Sequence, residues 1–195
     1  MSGCRLGYAP DARRTRHFRR DCSHRDGIRS GRGVESVSFG MAARQAELVD
    51  WESLRTGGGT RDLRGDLMTL LAVEGQQAVD AYRRMENAVV TQGHLFECAS
   101  SVVRVLMSAI AEGSVHDANL GAVLDLLCRI LVGYPDDSET EAGNGDLDEQ
   151  CHHEALKGYW SLMRVASGRD AFDGWKLARD ALAMLDESHV SRFFE

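Results

Sequence analysis

Apolar residues recur at every third or fourth position along most of the chain from residue 42 onward, a spacing that places side chains on one face of an α-helix. The widest apolar stripe covers 94–112, and Gly113 ends it. Strong helix breakers are rare, because the chain has only two prolines, Pro10 and Pro135. The pattern predicts seven helices, over 42–55, 61–72, 76–91, 94–112, 117–133, 147–167 and 171–187.

The connections between most of these helices are short, so consecutive helices are expected to be antiparallel neighbours. Three helical hairpins follow from this, over 61–91, 94–133 and 147–187. Their pitch of about 40 residues is close to that of HEAT-type units. The sequence therefore predicts an all-α fold of stacked antiparallel helical hairpins, arranged as a short HEAT-like α-solenoid.

The first forty residues differ from the rest in composition. They are rich in Arg, Gly and Ser and have no hydrophobic period, so 1–40 is predicted to be a disordered arm. A helical-repeat domain is predicted over 41–195. Because Met41 opens the new composition, the alternative that translation starts there, and that the arm is not translated, stays open.

Charge is divided unevenly between these two parts. Residues 1–40 contain nine Arg and four acidic residues, a net charge of +5, whereas 41–195 contain 14 basic and 26 acidic residues, a net charge of −12. An acidic domain repels the phosphate backbone of nucleic acids, whereas the arm could bind RNA or DNA through its arginines. The acidic segment 136–149 is interpreted as a solvated loop, because Glu149 occupies the position where a calcium-binding loop requires glycine.

One segment carries a family resemblance. Residues 85–99 read MENAVVTQGHLFECA, in which an Asn-containing helix end is followed by Gln-Gly, an aromatic-Glu pair and an apolar helix. This order resembles a turn of bacterial HEAT-repeat-like proteins, and 123–127 with 133–134 fit the same pattern. The resemblance covers roughly 48–187. It implies an α-solenoid that presents a surface, and it assigns neither an enzyme activity nor a catalytic residue.

Four polar residues crowd around this turn, and they are the candidate binding residues: Asn87, Gln92, His94 and Glu97. They could form a polar patch on a concave face that is available to a partner. Alternatively, Asn87 and Gln92 satisfy loose backbone groups where one helix ends and the next begins. The structural alternative is favoured, and both stay open.

Candidate metal chemistry is concentrated in the run Cys-His-His-Glu at 151–154. Adjacent residues point about 100° apart on a helix, so His152 and His153 cannot easily face one ion. Cys151 fits the buried stripe instead, and the HExxH spacing of zinc enzymes does not occur. No metal ion and no cofactor are predicted.

Catalytic signatures are also missing from the sequence. The run Gly57-Gly58-Gly59-Thr60 is not a phosphate-binding loop, because no Lys follows at the required place, and no GxSxG motif occurs. The chain is therefore predicted not to be an enzyme. A hydrolase assembled around His94 with Glu97, or around His152 with Glu154, is a remote alternative.

Cysteine usage and hydropathy bear on the location of the protein. The five cysteines include no CxxC pair, and their odd number and wide spacing favour a reducing cytoplasm. No apolar run reaches the length of about 18 residues that a membrane span needs. A cytoplasmic protein without a membrane partner is predicted.

These observations favour a binding protein over an enzyme. The predicted function is a non-enzymatic protein-binding module whose curved acidic surface engages another protein and suits a basic one. A narrower form of the same hypothesis is an immunity or antitoxin-type protein that neutralises a basic toxin. The alternative is a nucleic-acid-associated factor that binds through the arm 1–40, provided that the arm is present.

Overall fold

A computed structural model of the protein describes residues 40–58, 61–168 and 174–192, with side chains in the last helix up to residue 186. Almost all of the predicted arm 1–40 lies outside these residues. The described regular structure is helical apart from three two-residue strands, so the all-α fold class is confirmed. None of the helices in the described ranges combines the length and the apolar character needed to cross a membrane.

The elements follow one another in a simple order along the chain. The described residues contain nine helices, and a 3₁₀ turn at Asp117–Asn119 precedes the fifth of them. The helices are α1 (Met41–Glu47), α2 (Leu63–Ala72), α3 (Gln76–Val89), α4 (Ala99–Glu112), α5 (Leu120–Leu131), α6 (Asp137–Glu141), α7 (Leu147–Leu156), α8 (Tyr159–Ser167) and α9 (Gly174–Arg192). The strands are β1 (Val90–Thr91), β2 (His94–Leu95) and β3 (Tyr134–Pro135).

Helices α4 and α5 occupy the centre of the packing. Both α1 and α7 pack on α4, α9 packs on α5, and the pairs α2–α3 and α8–α9 pack as hairpins. A strict repeat stack makes its contacts mainly between successive units. The contacts of α1 with α4 and of α5 with α9 join helices that are far apart in sequence, so a HEAT-like repeat stays a prediction.

The core follows from the apolar stripes of the two central helices. Val102 and Leu106 of α4 and Leu124 and Leu127 of α5 are fully buried, at the three- and four-residue spacing that the sequence shows. Burying one such side chain stabilises the fold by about 1.5–3 kcal/mol. Packing of these stripes therefore holds α4 and α5 together, and these helices position the turns at the surface.

Side chains from distant parts of the chain satisfy the helix ends. The buried Asn119 donates from Nδ2 to the carbonyls of Leu70 and Val73, at 2.8 and 2.6 Å, and so closes the end of α2. The carboxylate of Glu112 accepts hydrogen bonds from the first backbone N–H groups of α1. These contacts tie α1 and α2 to the central pair.

Two predicted helices are shorter than the sequence pattern indicated. The helix predicted over 42–55 ends at Glu47, and Trp51 then donates from Nε1 to the carbonyl of Ala46 at 2.7 Å. The helix predicted over 147–167 is divided into α7 and α8 at Gly158. Gly158 lies against α4, where a Cβ atom would come within 2.3 Å of Met107 Cε.

Candidate functional site

The turn between α3 and α4 is a β-hairpin rather than the start of a helix. Strands β1 and β2 are antiparallel, with Thr91 opposite His94. Gln92 and Gly93 between them both have positive φ, +55° and +88°. Two successive left-handed residues form the type I′ turn that suits a tight hairpin. The prediction of a helix over 94–112 is therefore wrong for its first five residues, since α4 begins only at Ala99.

Strand β3 brings a segment forty residues further along the chain to this hairpin. It pairs with β2 in parallel, with His94 beside Tyr134 and Leu95 beside Pro135. Tyr134 N donates to the carbonyl of Gly93, and Asp136 N donates to that of Leu95, both at 3.0 Å. The side chains of His94, Tyr134 and Asp136 are thereby brought together.

These three residues are the centre of an exposed surface. The rings of His94 and Tyr134 meet edge to face at 4.6 Å between centroids, and Tyr134 Oη lies 3.2 Å from His94 Nε2. Tyr134 is 53% exposed, and Val132, two residues earlier, is 63% exposed. Gln92 at the tip of the turn is also exposed. We call His94, Tyr134, Asp136, Val132 and Gln92 the hairpin patch.

His94 and Asp136 form an incomplete pair. Nδ1 of His94 is buried and has no hydrogen-bond partner among the described residues, and it lies 3.6 Å from Asp136 Oδ2. The other oxygen of Asp136 accepts hydrogen bonds from the hydroxyl and the backbone N–H of Ser138, at 2.6 and 3.0 Å. These two hydrogen bonds, helped by His94, lower the pKa of Asp136, so this carboxylate is ionised and would pair with a protonated His94.

Glu97 belongs to a second polar group, in which Glu139 is buried whereas Arg55 and Glu97 are partly exposed. Its Oε2 accepts from the backbone N of Arg55 at 3.2 Å, and the Arg55 guanidinium lies 3.4 Å from the same oxygen. The guanidinium also makes a two-pronged contact with Glu139, with its shortest distance at 2.6 Å. Asn144 Nδ2 donates to Glu139 at 2.9 Å. We call Arg55, Glu97, Glu139 and Asn144 the buried junction, after its one buried member, Glu139.

Glu139 is the anchor of the buried junction. Its side chain has no solvent exposure, yet the hydrogen bonds from Arg55 lower its pKa against the opposing effect of burial. Asn144 and the backbone N–H of Glu97 lower the pKa further. A buried carboxylate that is held charged in this way requires every one of these partners.

The structure divides the four candidate residues of the turn between separate places. His94 and Gln92 belong to the hairpin patch, and Glu97 belongs to the buried junction. Asn87 is exposed at the end of α3, where its backbone carbonyl accepts from Thr91 Oγ1 at 2.8 Å. The four residues therefore do not form one continuous polar site.

The acidic segment 136–149 is only partly a solvated loop. Asp136 caps a helix over Asp137–Glu141, and Glu139 on that helix is buried, so the interpretation of the segment as a solvated loop is wrong there. The burial follows from the fit of Glu139 to Arg55, which no pattern within the segment could show. The segment contains neither Lys nor Arg. Its exposed acidic residues are Asp137, Glu141, Asp146 and Glu149.

The residues of the Cys-His-His-Glu run at 151–154 point to different surroundings. Cys151 is fully buried, and His152 Nδ1 lies 2.9 Å from the carbonyl of Asp148. Glu154 accepts from Arg104 and Lys157, at 3.0 and 2.9 Å. Within the described ranges, no three His, Cys, Asp or Glu side chains are arranged to hold a metal ion.

Thiol chemistry is disfavoured by burial of the described cysteines. Burial raises the pKa of Cys98 to about 12 and that of Cys128 to about 11, and it raises the pKa of Cys151 as well. All three thiols are free and stay protonated near neutral pH. They behave as small apolar side chains of the core.

Tyr134 and Asp136 are the functional candidates that the sequence did not reveal. They lie about forty residues from His94 along the chain, and only the parallel pairing of β2 with β3 joins them. A local signal was nevertheless present, because Gln-Gly followed by two β-compatible residues is compatible with a hairpin turn.

Comparisons of the chain with protein-family models, with curated proteins and with solved structures give no match.

Proposed function

We propose that this chain is a non-enzymatic protein-binding module that engages another protein through the hairpin patch. The observation that carries the proposal is the exposure of Tyr134 beside His94 on a hydrogen-bonded surface. Tyrosine is among the residues that most often dominate the binding energy of protein interfaces. It combines a large apolar ring with a hydroxyl group and loses little conformational entropy on binding.

The support beneath Tyr134 favours binding with little rearrangement. Strands β2 and β3 are paired, and Gly133 packs so closely on the buried Leu95 that a Cβ atom would lie 2.6 Å from Leu95 Cδ2. The ring of His94 restrains Tyr134 from one side. A side chain that is held before binding loses less freedom when a partner arrives.

Charge supports a basic partner. Residues 41–195 carry a net charge of −12, and the acidic segment begins at Asp136, within the hairpin patch. Opposite charges around an interface accelerate encounter and select against acidic partners. We favour an immunity or antitoxin-type role, in which the protein neutralises a basic protein such as a nuclease toxin. A cytoplasmic location agrees with the free, buried thiols.

A hydrolytic role for His94 is less well supported. Glu97, its partner in that hypothesis, contacts Arg55 instead. Asp136 is the nearer carboxylate, but 3.6 Å from Nδ1 is longer than a hydrogen bond. A helical-repeat scaffold, which the family resemblance implies, would extend the hairpin patch into a longer surface and suits binding better than turnover.

The proposal is tested by capture from a lysate of the native cell with three forms of the full chain: wild type, Tyr134→Ala and Arg83→Glu. Arg83 is exposed on α3, outside the hairpin patch, and its substitution tests general charge effects. We expect a protein that the wild type and Arg83→Glu recover and Tyr134→Ala does not. Its affinity for the three purified forms is then measured by calorimetry. Equal affinity for wild type and Tyr134→Ala would refute binding through the hairpin patch.

A further inference from the structure

A second exposed apolar surface lies on the hairpin of α8 and α9. Trp160 is 80% exposed and Met163, three residues later on the same side of α8, is 42% exposed. Beside them a groove of about 340 Å³ runs between the two helices, lined by Ala166 of α8 and by Leu182 and Ala183 of α9. We call these five residues the α8–α9 face. An exposed tryptophan next to an apolar groove is typical of an interaction surface.

The groove is flanked by opposite charges on α9. Arg179 and Asp186 both line it and both are exposed. They are seven residues apart, which places them on one side of the helix and about 10 Å apart along its axis. Leu182 and Ala183 lie between them. The stripe therefore runs from a positive charge, across an apolar centre, to a negative charge.

We infer that a second copy of this chain docks on the α8–α9 face, with the two α9 helices antiparallel about a twofold axis near Ala183. In this arrangement Arg179 of each copy meets Asp186 of the other, so the same ion pair forms twice. Trp160 lies near the Asp186 end of the groove, because the hydroxyl of the neighbouring Tyr159 donates to Asp186 Oδ1 at 3.2 Å. The arginine of the other copy would then also approach the indole face.

The order of the charges selects this occupant. A twofold axis through the apolar centre exchanges the two ends of the stripe, so it places each positive group opposite a negative one. A parallel arrangement of the same helices would place like charges together, which disfavours it. A uniformly basic or acidic partner would match only one end of the stripe. Self-association therefore pairs both Arg179 and Asp186 with opposite charges and also covers Trp160.

The test is the oligomeric state of the full chain, measured by sedimentation equilibrium across a wide concentration range. We expect a monomer–dimer equilibrium for the wild type. Arg179→Glu places like charges opposite each other at both ends, and we expect it to raise the dimer Kd at least about tenfold. The double variant Arg179→Glu/Asp186→Arg reverses the stripe, and we expect it to restore most of the dimer. Arg83→Glu, the same charge change on α3, should dimerise like the wild type.

Each other outcome overturns the inference. A wild type that stays monomeric at every concentration excludes the dimer. Equal dimerisation of wild type and Arg179→Glu excludes this surface, and a double variant that is as weak as the single one excludes the antiparallel pairing. Circular dichroism and urea unfolding of each variant identify any that fails to fold, and Trp160→Ser, which leaves both charges in place, then provides the second variant. We expect it to weaken the dimer as well, and unchanged dimerisation would overturn the inference.

Discussion

The buried junction and the hairpin patch share two stretches of chain, to which the junction adds Arg55, but they differ in how their charges are satisfied. Glu97 lies three residues after His94, and Glu139 lies three residues after Asp136. In the buried junction, Glu139 has partners on both oxygens and no exposure. In the hairpin patch, the buried His94 Nδ1 has no hydrogen-bond partner among the described residues, and Tyr134 is more than half exposed. Polar groups that the fold itself satisfies hold the structure together, whereas the exposed side chain of Tyr134 is available to a partner.

The largest effect is expected where the buried junction is broken. Glu139→Ala removes the carboxylate that joins Arg55 to Asn144 and the backbone of Glu97. Loss of these charge-assisted hydrogen bonds from a buried position should lower the free energy of unfolding by about 3 kcal/mol. Urea unfolding monitored by circular dichroism at neutral pH measures it.

The control for this substitution is Glu141→Ala, on the same helix but exposed. A change at an exposed position without a special role should stay within about 0.5 kcal/mol. If Glu139→Ala were no more harmful than Glu141→Ala, the buried junction would not stabilise the fold, and its contrast with the hairpin patch would disappear.

Acid should remove the contribution of the same carboxylate gradually. The folded-state pKa of Glu139 is lowered, whereas an unfolded chain gives glutamate its usual value of about 4.3. Its contribution is therefore fully present above about pH 4.3 and is lost as the pH falls through the folded-state value. We expect the stability difference between wild type and Glu139→Gln to be largest near neutral pH and to shrink steadily below about pH 4. A difference that stays constant down to about pH 3 would contradict the lowered pKa.

The helices were predictable because their signal is local. Periodicity over 61–72 and 76–91 gave α2 and α3 almost to the residue, and the stripes of α4 and α5 gave the centre of the core. The errors lie where distant parts of the chain decide the local structure. The continuous helical pattern over 147–167 gives no sign that the helix divides at Gly158, which lies against Met107 of α4.

The candidate site was predictable only in part. Crowding of polar residues around the Gln-Gly pair located the turn, and His94 lies beside it in strand β2 rather than in the predicted helix. The roles of Tyr134 and Asp136 depend on the pairing of β2 with β3, which is nonlocal and only two residues long. The prediction that Glu139 is solvated is wrong, because an acidic run does not show which of its carboxylates pairs with Arg55 and is buried.

A substitution behind the hairpin patch tests whether its support is as tight as described. Gly133→Ala would place a Cβ atom 2.6 Å from Leu95 Cδ2, and Leu95 is fully buried. Overpacking of this kind should cost about 1–3 kcal/mol in urea unfolding. Gly145→Ala is the matched control, because its Cβ atom would meet only Thr140 Cγ2, at 3.7 Å. Equal stability of the two variants would show that the Leu95 side chain can shift without cost, and the packing behind the hairpin patch would not be tight.

Removal of the exposed ring should affect folding less than any change behind it. Tyr134→Ala removes the edge-to-face contact with His94 and little buried area. Contacts of this kind are worth about 0.5–1.5 kcal/mol, so we expect a loss of about 1 kcal/mol by urea unfolding. A loss as large as that of Glu139→Ala would mean that Tyr134 belongs to the structural framework, and the proposed binding role would lose its main support.

The smallest expected effect, and the only gain in stability, concerns Gln92. Its positive φ costs an ordinary side chain about 1–2 kcal/mol, whereas asparagine tolerates this conformation and is preferred in type I′ turns. Gln92→Asn should therefore raise the free energy of unfolding by about 0.5 kcal/mol, and Gln92→Val should lower it, because a β-branched side chain is strained there. The same pair of variants separates structure from binding at this residue. If both bind the captured partner as the wild type does, Gln92 only shapes the turn. If Gln92→Asn stabilises the fold but weakens binding, the Gln92 side chain contributes to binding and lowers the stability of the hairpin.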